Sequence, residues 1–152
     1  MNTLFIERIL QPLYKRFSIW GDHPVQPASL YLGTKDLERN FNIIRSEYDE
    51  IIKRYDDFAP FQDISPHQTY ISNDDKWRLF FLKGAGIWFP KNCEQMPKTA
   101  EIIRRNKEIV SAYVSVLGPR KKLNPHAGPY SGVLRLHLAL DIPHRQRCYI
   151  DV

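Results

Sequence analysis

The stretch Val133-Leu134-Arg135-Leu136-His137-Leu138-Ala139-Leu140 alternates almost without a break, and a period of two is a strand pattern that no helix satisfies. Leu134, Leu136, Leu138 and Leu140 share one face of such a strand, while Arg135 and His137 share the other. A strand of this kind lies between two layers, which predicts a sheet protein with a polar interior. Burying an unpaired charge costs several kcal/mol, so a guanidinium and an imidazole aimed inward call for a ligand.

The rest of the chain supplies further strands and two helices. Ser111-Ala112-Tyr113-Val114-Ser115-Val116-Leu117 is rich in strand formers and stops at Gly118-Pro119. Trp77-Arg78-Leu79-Phe80-Phe81-Leu82 is an aromatic-rich strand that ends at Gly84 and Gly86, and Cys148 to Val152 reads as the beginning of another strand. Leu37, Phe41, Ile44, Tyr48 and Ile51 recur at helical spacing behind Thr34, a suitable N-cap, and Asp56-Asp57 with Pro60 close that helix. Thr99 heads a second helix running to about Lys107, with Ile102 and Ile103 on its buried side. Pro12, Pro24 and Pro27 make the first thirty residues an irregular lead-in.

A chain of 152 residues suits one domain, which at that length buries roughly 70% of its unfolded surface. No apolar run approaches the ~20 residues needed to span a bilayer, and Glu7 and Arg8 interrupt the opening stretch where an export signal stays apolar. Cys93 and Cys148 are too few for a disulfide framework or a four-cysteine zinc site. These features predict a cytoplasmic protein with no transmembrane segment. The net charge of +5 is uneven: residues 1–75 carry 8 basic and 12 acidic side chains, residues 76–152 carry 14 and 5. A basic half calls for an anionic partner. Nucleic acid is not the expected one, because Arg104, Arg105, Lys107, Arg120, Lys121 and Lys122 lack interleaved aromatics and fit no nucleic-acid motif.

The densest signal runs from Asn124 to Pro143 and contains His126-Ala127-Gly128-Pro129 followed by Leu134-Arg135-Leu136-His137-Leu138. This pairing resembles the aspartyl/asparaginyl β-hydroxylase family, Fe(II)- and 2-oxoglutarate-dependent dioxygenases. Trp20-Gly21-Asp22-His23-Pro24, Phe61-Gln62-Asp63-Ile64-Ser65, Asp74-Asp75-Lys76-Trp77 and Met96-Pro97-Lys98-Thr99-Ala100 look like further family blocks, in family order. The resemblance implies a mainly β fold with flanking helices, a double-stranded β-helix or jelly-roll barrel. It would occupy residues 1–152 as a single domain, irregular and helical over 1–70, with barrel strands over 71–152.

On the same resemblance, His126 matches an iron ligand, and Gly128 stands where the wider oxygenase group has a carboxylate, a gap the family shares. Ser115, Arg135 and His137 match residues that hold 2-oxoglutarate, and Trp77 matches a tryptophan beside that pocket. A planar guanidinium with two parallel donors suits a dicarboxylate on physical grounds as well. The implied reaction is hydroxylation of an unactivated carbon in a peptide residue or a small molecule, with Fe(II), 2-oxoglutarate and dioxygen. The family's second iron histidine and a second arginine have no counterpart here, and His144 sits in a loop-like stretch. The expectation is therefore a barrel incomplete at its C-terminal end, weakly active or inactive. The alternative is a binding module descended from the family that does not turn over.

Overall fold

In the computed structural model, residues 11–18, 23–126 and 132–152 are described. The opening residues, the Trp20-Gly21-Asp22 part of the first block and Gly128 with its neighbours lie outside them. The chain forms two compact units, Lys35–Pro125 and a second made of Met1–Thr34 with His126–Val152.

The elements in chain order are α1 (Gln11–Phe17), α2 (Gly33–Arg39), α3 (Phe41–Ile51), β1 (Ala59–Pro60), α4 (Phe61–Ile64), β2 (Trp77–Gly84), β3 (Ile87–Trp88), α5 (Pro90–Cys93), α6 (Pro97–Arg105) and β4 (Ala112–Leu117). The strands form one small antiparallel sheet built on β2. β4 runs along β2 from Trp77↔Leu117 to Lys83↔Ala112, with a one-residue offset at Leu82. β1 pairs with β2 at Leu79 and Arg78, and β3 pairs with it at Lys83 and Gly84. Among the described residues β4 pairs with β2 alone, and the sheet does not close.

Alternation along β2 and β4 divides the core in two. Phe80, Leu82 and Val114 point to one side and are buried, as are Ile44, Tyr48 and Ile51 of α3 and Ala100, Ile102 and Ile103 of α6. Trp77 and Leu79 point to the other side, where they cluster with Phe61 and Ile71 under Phe81, Tyr113 and Leu123. Cys93 is a packing residue, 5% exposed, with its thiol directed at the Leu82 carbonyl.

The expected first helix is two, with Asn40 between α2 and α3. Thr34 does not cap it. The residue lies inside α2, and its hydroxyl donates to the Ala28 carbonyl at 2.7 Å, satisfying the preceding turn instead. Thr99 likewise sits within α6, and the cap comes from another helix. Glu47 on α3 accepts from the Lys98 and Thr99 amides at 2.9 and 2.8 Å and from the Thr99 hydroxyl at 2.6 Å. A carboxylate there satisfies orphan donors and meets the positive end of the helix dipole. Glu47→Ala is expected to lower stability by about 1–2 kcal/mol in urea titration, and Glu47→Gln by less. An unchanged midpoint for the alanine variant would show that solvent serves those amides equally well. At the other end of α6, Asn106 donates to Ile102 O and to Asp36 Oδ2 at 2.8 and 2.9 Å, tying α6 to α2.

Residues 133–140 are a correction to the expected fold: they carry no strand ladder, and Leu134 and Leu136 are 57% and 43% exposed. Alternation defines which face a strand would bury, but a strand exists only where a neighbour takes its N–H and C=O groups. No described strand does so here. For the same reason the segment at Cys148–Val152 is not a strand, and residues 144–148 form a turn closed by Arg147 N and Cys148 N on the His144 carbonyl.

Candidate functional site

The register of β2 and β4 brings Trp77 and Ser115 together. Leu79 stands opposite Ser115, so Trp77 is the diagonal neighbour of that serine on the same face. The indole Nε1–H donates to Ser115 Oγ at 2.9 Å across 38 residues of sequence. Phe61 stacks on the same indole, with ring centroids 3.8 Å apart and planes 11° from parallel, so Trp77 is held from its face and its edge. Because Ser115 Oγ is the acceptor in this bond, its own proton remains available to an anion. Trp77 is 7% exposed, whereas Ser115 is exposed.

The chain leaving β4 is pinned to the same unit nearly as far as His126. Gly118 N donates to the Lys76 carbonyl at 2.6 Å, and a Cβ on Gly118 would approach that oxygen to 3.3 Å, so the backbones meet where a side chain has little room. Lys121 Nζ contacts Asp74 Oδ1 at 2.9 Å with its side chain 7% exposed, and Asn124 Nδ2 donates to the Tyr70 carbonyl at 2.6 Å. The hydrogen bond from Lys121 is the main reason the Asp74 carboxyl is held below the usual carboxylate range. None of these anchors was legible in the sequence, since Asp74 and Lys121 lie 47 residues apart with no periodicity joining them. Phe61 belongs to one of the family-like blocks, yet only the fold reveals it as the stacking partner of Trp77.

His126, Arg135 and His137 belong to the other unit, and all three are exposed. Arg135 and His137 are coupled: desolvation first, and the Arg135 charge second, hold the His137 imidazole below its ordinary value. His137 is therefore neutral at physiological pH, able to donate one ring N–H beside the permanent cation of Arg135. The folded state disfavours the imidazolium, so any stability this supplies is present above the ordinary histidine pKa and is lost as pH falls below it. An NMR titration should find His137 titrating below the model-peptide value, and Arg135→Ala should move it part of the way back. A His137 pKa at or above that value would contradict the coupling. His23, His67 and His144 are exposed.

Arg135 and His137, a guanidinium and a neutral imidazole two residues apart, suit a carboxylate in kind. Iron would need further donors besides His126. His126 is a suitable donor, but among the described residues no three His, Cys, Asp or Glu side chains gather where they could hold a metal.

Comparison with known proteins agrees with the pattern of residues. The family described as Aspartyl/Asparaginyl beta-hydroxylase matches residues 38–152, a span that includes Trp77, Ser115, His126, Arg135 and His137. The chain is 33% identical over 133 residues to an ornithine lipid ester-linked acyl 2-hydroxylase of Rhizobium tropici, covering 88% of this chain and 47% of that protein. It is 29% identical over 114 residues to the human aspartate beta-hydroxylase domain-containing protein 2, covering 71% and 30%. Against the human aspartyl/asparaginyl beta-hydroxylase it is 27% identical over 121 residues, covering 76% and 15%. The chain thus spans less than half the length of each of these relatives, and no solved structure matches it. Because the family match runs from α2 through both units to the last residue and takes in every candidate side chain, the chain belongs to the aspartyl/asparaginyl beta-hydroxylase family.

Proposed function

We propose that this chain carries the cosubstrate-binding part of an Fe(II)- and 2-oxoglutarate-dependent hydroxylase of jelly-roll type. Ser115, Arg135 and His137 hold 2-oxoglutarate, Trp77 positions Ser115, and His126 is one iron ligand. What supports this reading is the hydrogen bond from Trp77 to Ser115, which joins two residues that the family resemblance named independently. In this assignment Arg135 pairs with a carboxylate through two parallel bonds, Ser115 donates its hydroxyl proton, and neutral His137 donates a ring N–H. Iron with dioxygen would supply the oxidising power for an unactivated C–H bond. The hydroxylated carbon belongs to an aspartyl- or asparaginyl-type peptide residue or amino acid. An acyl chain is the second reading for the substrate, favoured by the 88% of this chain that aligns with the acyl 2-hydroxylase.

Anaerobic addition of Fe(II) and 2-oxoglutarate to the chain should produce a metal-to-ligand absorbance band. Aerobic incubation with an aspartyl peptide or an acyl lipid should yield succinate and a product heavier by one oxygen atom. Binding of 2-oxoglutarate by calorimetry with no succinate from any substrate would favour a non-catalytic binding module. No binding of 2-oxoglutarate at all would sink both.

A further inference from the structure

Far along β2 from Trp77, the β2–β3 hairpin turns through Ala85 and Gly86, both at positive φ (48° and 86°), the geometry of a tight two-residue hairpin turn. The turn is fastened to the loop after α6. Gly86 N donates to Val110 O at 2.8 Å, the Ser111 hydroxyl accepts from Ala85 N at 2.9 Å, and Lys83 Nζ reaches the Ile109 carbonyl at 2.6 Å. This fastening sets Ile87, 69% exposed, beside Val110, 62% exposed, with Phe89 next on the strand side at 42%. Behind them the Trp88 ring is flanked by two cations, Arg104 at 4.7 Å and Lys83 at 5.2 Å from its centroid. Lys107 and Glu108, both exposed on the same loop, offset each other, so the pair over Trp88 sets the sign of the patch.

We propose that this hairpin end is a docking surface for an anionic lipid membrane. Aliphatic side chains at a rigid tip, an aromatic ring behind them and cations at the ring's level match the order of acyl region, interface and headgroup phosphate in a bilayer surface. Charge complementarity selects the lipid: the cations need anionic headgroups, and the exposed Ile87 and Val110 have nothing to gain from a soluble polyanion. The proposal stands whether or not the hydroxylase reading holds, because none of these residues belongs to that site.

The test is co-sedimentation of the full chain with vesicles of phosphatidylcholine alone and with about 30 mol% phosphatidylglycerol. The chain should sediment with the anionic vesicles and not with the neutral ones. Ile87→Glu with Val110→Glu should lower the partition coefficient about tenfold or more, because both aliphatic insertions are lost. Arg104→Gln, which leaves the fastening of the turn intact, should lower it about fivefold. Ile87, Val110 and Arg104 are exposed, and circular dichroism melts of these variants should match the parent. No binding to anionic vesicles would overturn the proposal, as would glutamate variants that bind like the parent. It would also fall if the glutamate pair instead converted a dimer to a monomer in light scattering while leaving vesicle binding unchanged. Tight binding to heparin in place of vesicles would identify a soluble polyanion site and equally defeat it.

Discussion

Arg135→Ala is expected to raise the 2-oxoglutarate concentration for half-saturation by about 10- to 100-fold, the loss that follows from removing a charge-assisted pair worth about 1.5–3 kcal/mol. Arg135 is exposed and supports no described strand, so its replacement should leave the melting temperature where it was. That separation of affinity from stability makes calorimetry with 2-oxoglutarate a clean readout. Arg135→Lys should recover only part of the affinity, since an ammonium is a point charge and lacks the planar fork. The same alanine variant should raise the His137 pKa, because one of the two influences holding it down is gone. Unchanged 2-oxoglutarate binding in Arg135→Ala would remove the guanidinium from the proposed cosubstrate site.

Leu82→Ala is expected to cost about 2–5 kcal/mol, a large share of the ~5–15 kcal/mol that stabilises a domain of ordinary size. Leu82 is 2% exposed and lies at the offset between β2 and β4, where its carbonyl accepts from Phe89 N and the Cys93 thiol. Backbone on both sides is therefore committed, so the surroundings cannot collapse far into the space an alanine leaves, and the cavity adds to the lost transfer energy. Leu82→Met, which nearly keeps the volume, should cost less than about 1.5 kcal/mol. Urea denaturation followed by far-UV circular dichroism measures both. Equal losses for alanine and methionine would mean that shape, and not volume, governs this position.

Much of the Lys35–Pro125 unit is legible in the sequence. Strands at Trp77 and Ala112 and the helical face of Ile44, Tyr48 and Ile51 follow from periodicity, because burial on one face imposes a period on the chain. Helix caps were misread for a specific reason. Thr34 and Thr99 have the right side chain for capping, but a hydroxyl serves whichever partner the fold brings near, and for Thr99 that is Glu47, 52 residues away. The strand at residues 133–140 was misread for a related reason. Its alternation is genuine, yet pairing is a property of two segments and cannot be read from one.

The candidate site divides along the same line. The identities at 77, 115, 126, 135 and 137, and with them the family, were determined by the sequence, because they depend on the kinds of side chain present and on their spacing. The bond between Trp77 and Ser115, the ring of Phe61 stacked beneath it and the lysine anchored to Asp74 were decided only by the tertiary structure. Each joins residues far apart along the chain, and strand register, not local preference, determines which distant groups come within hydrogen-bonding reach.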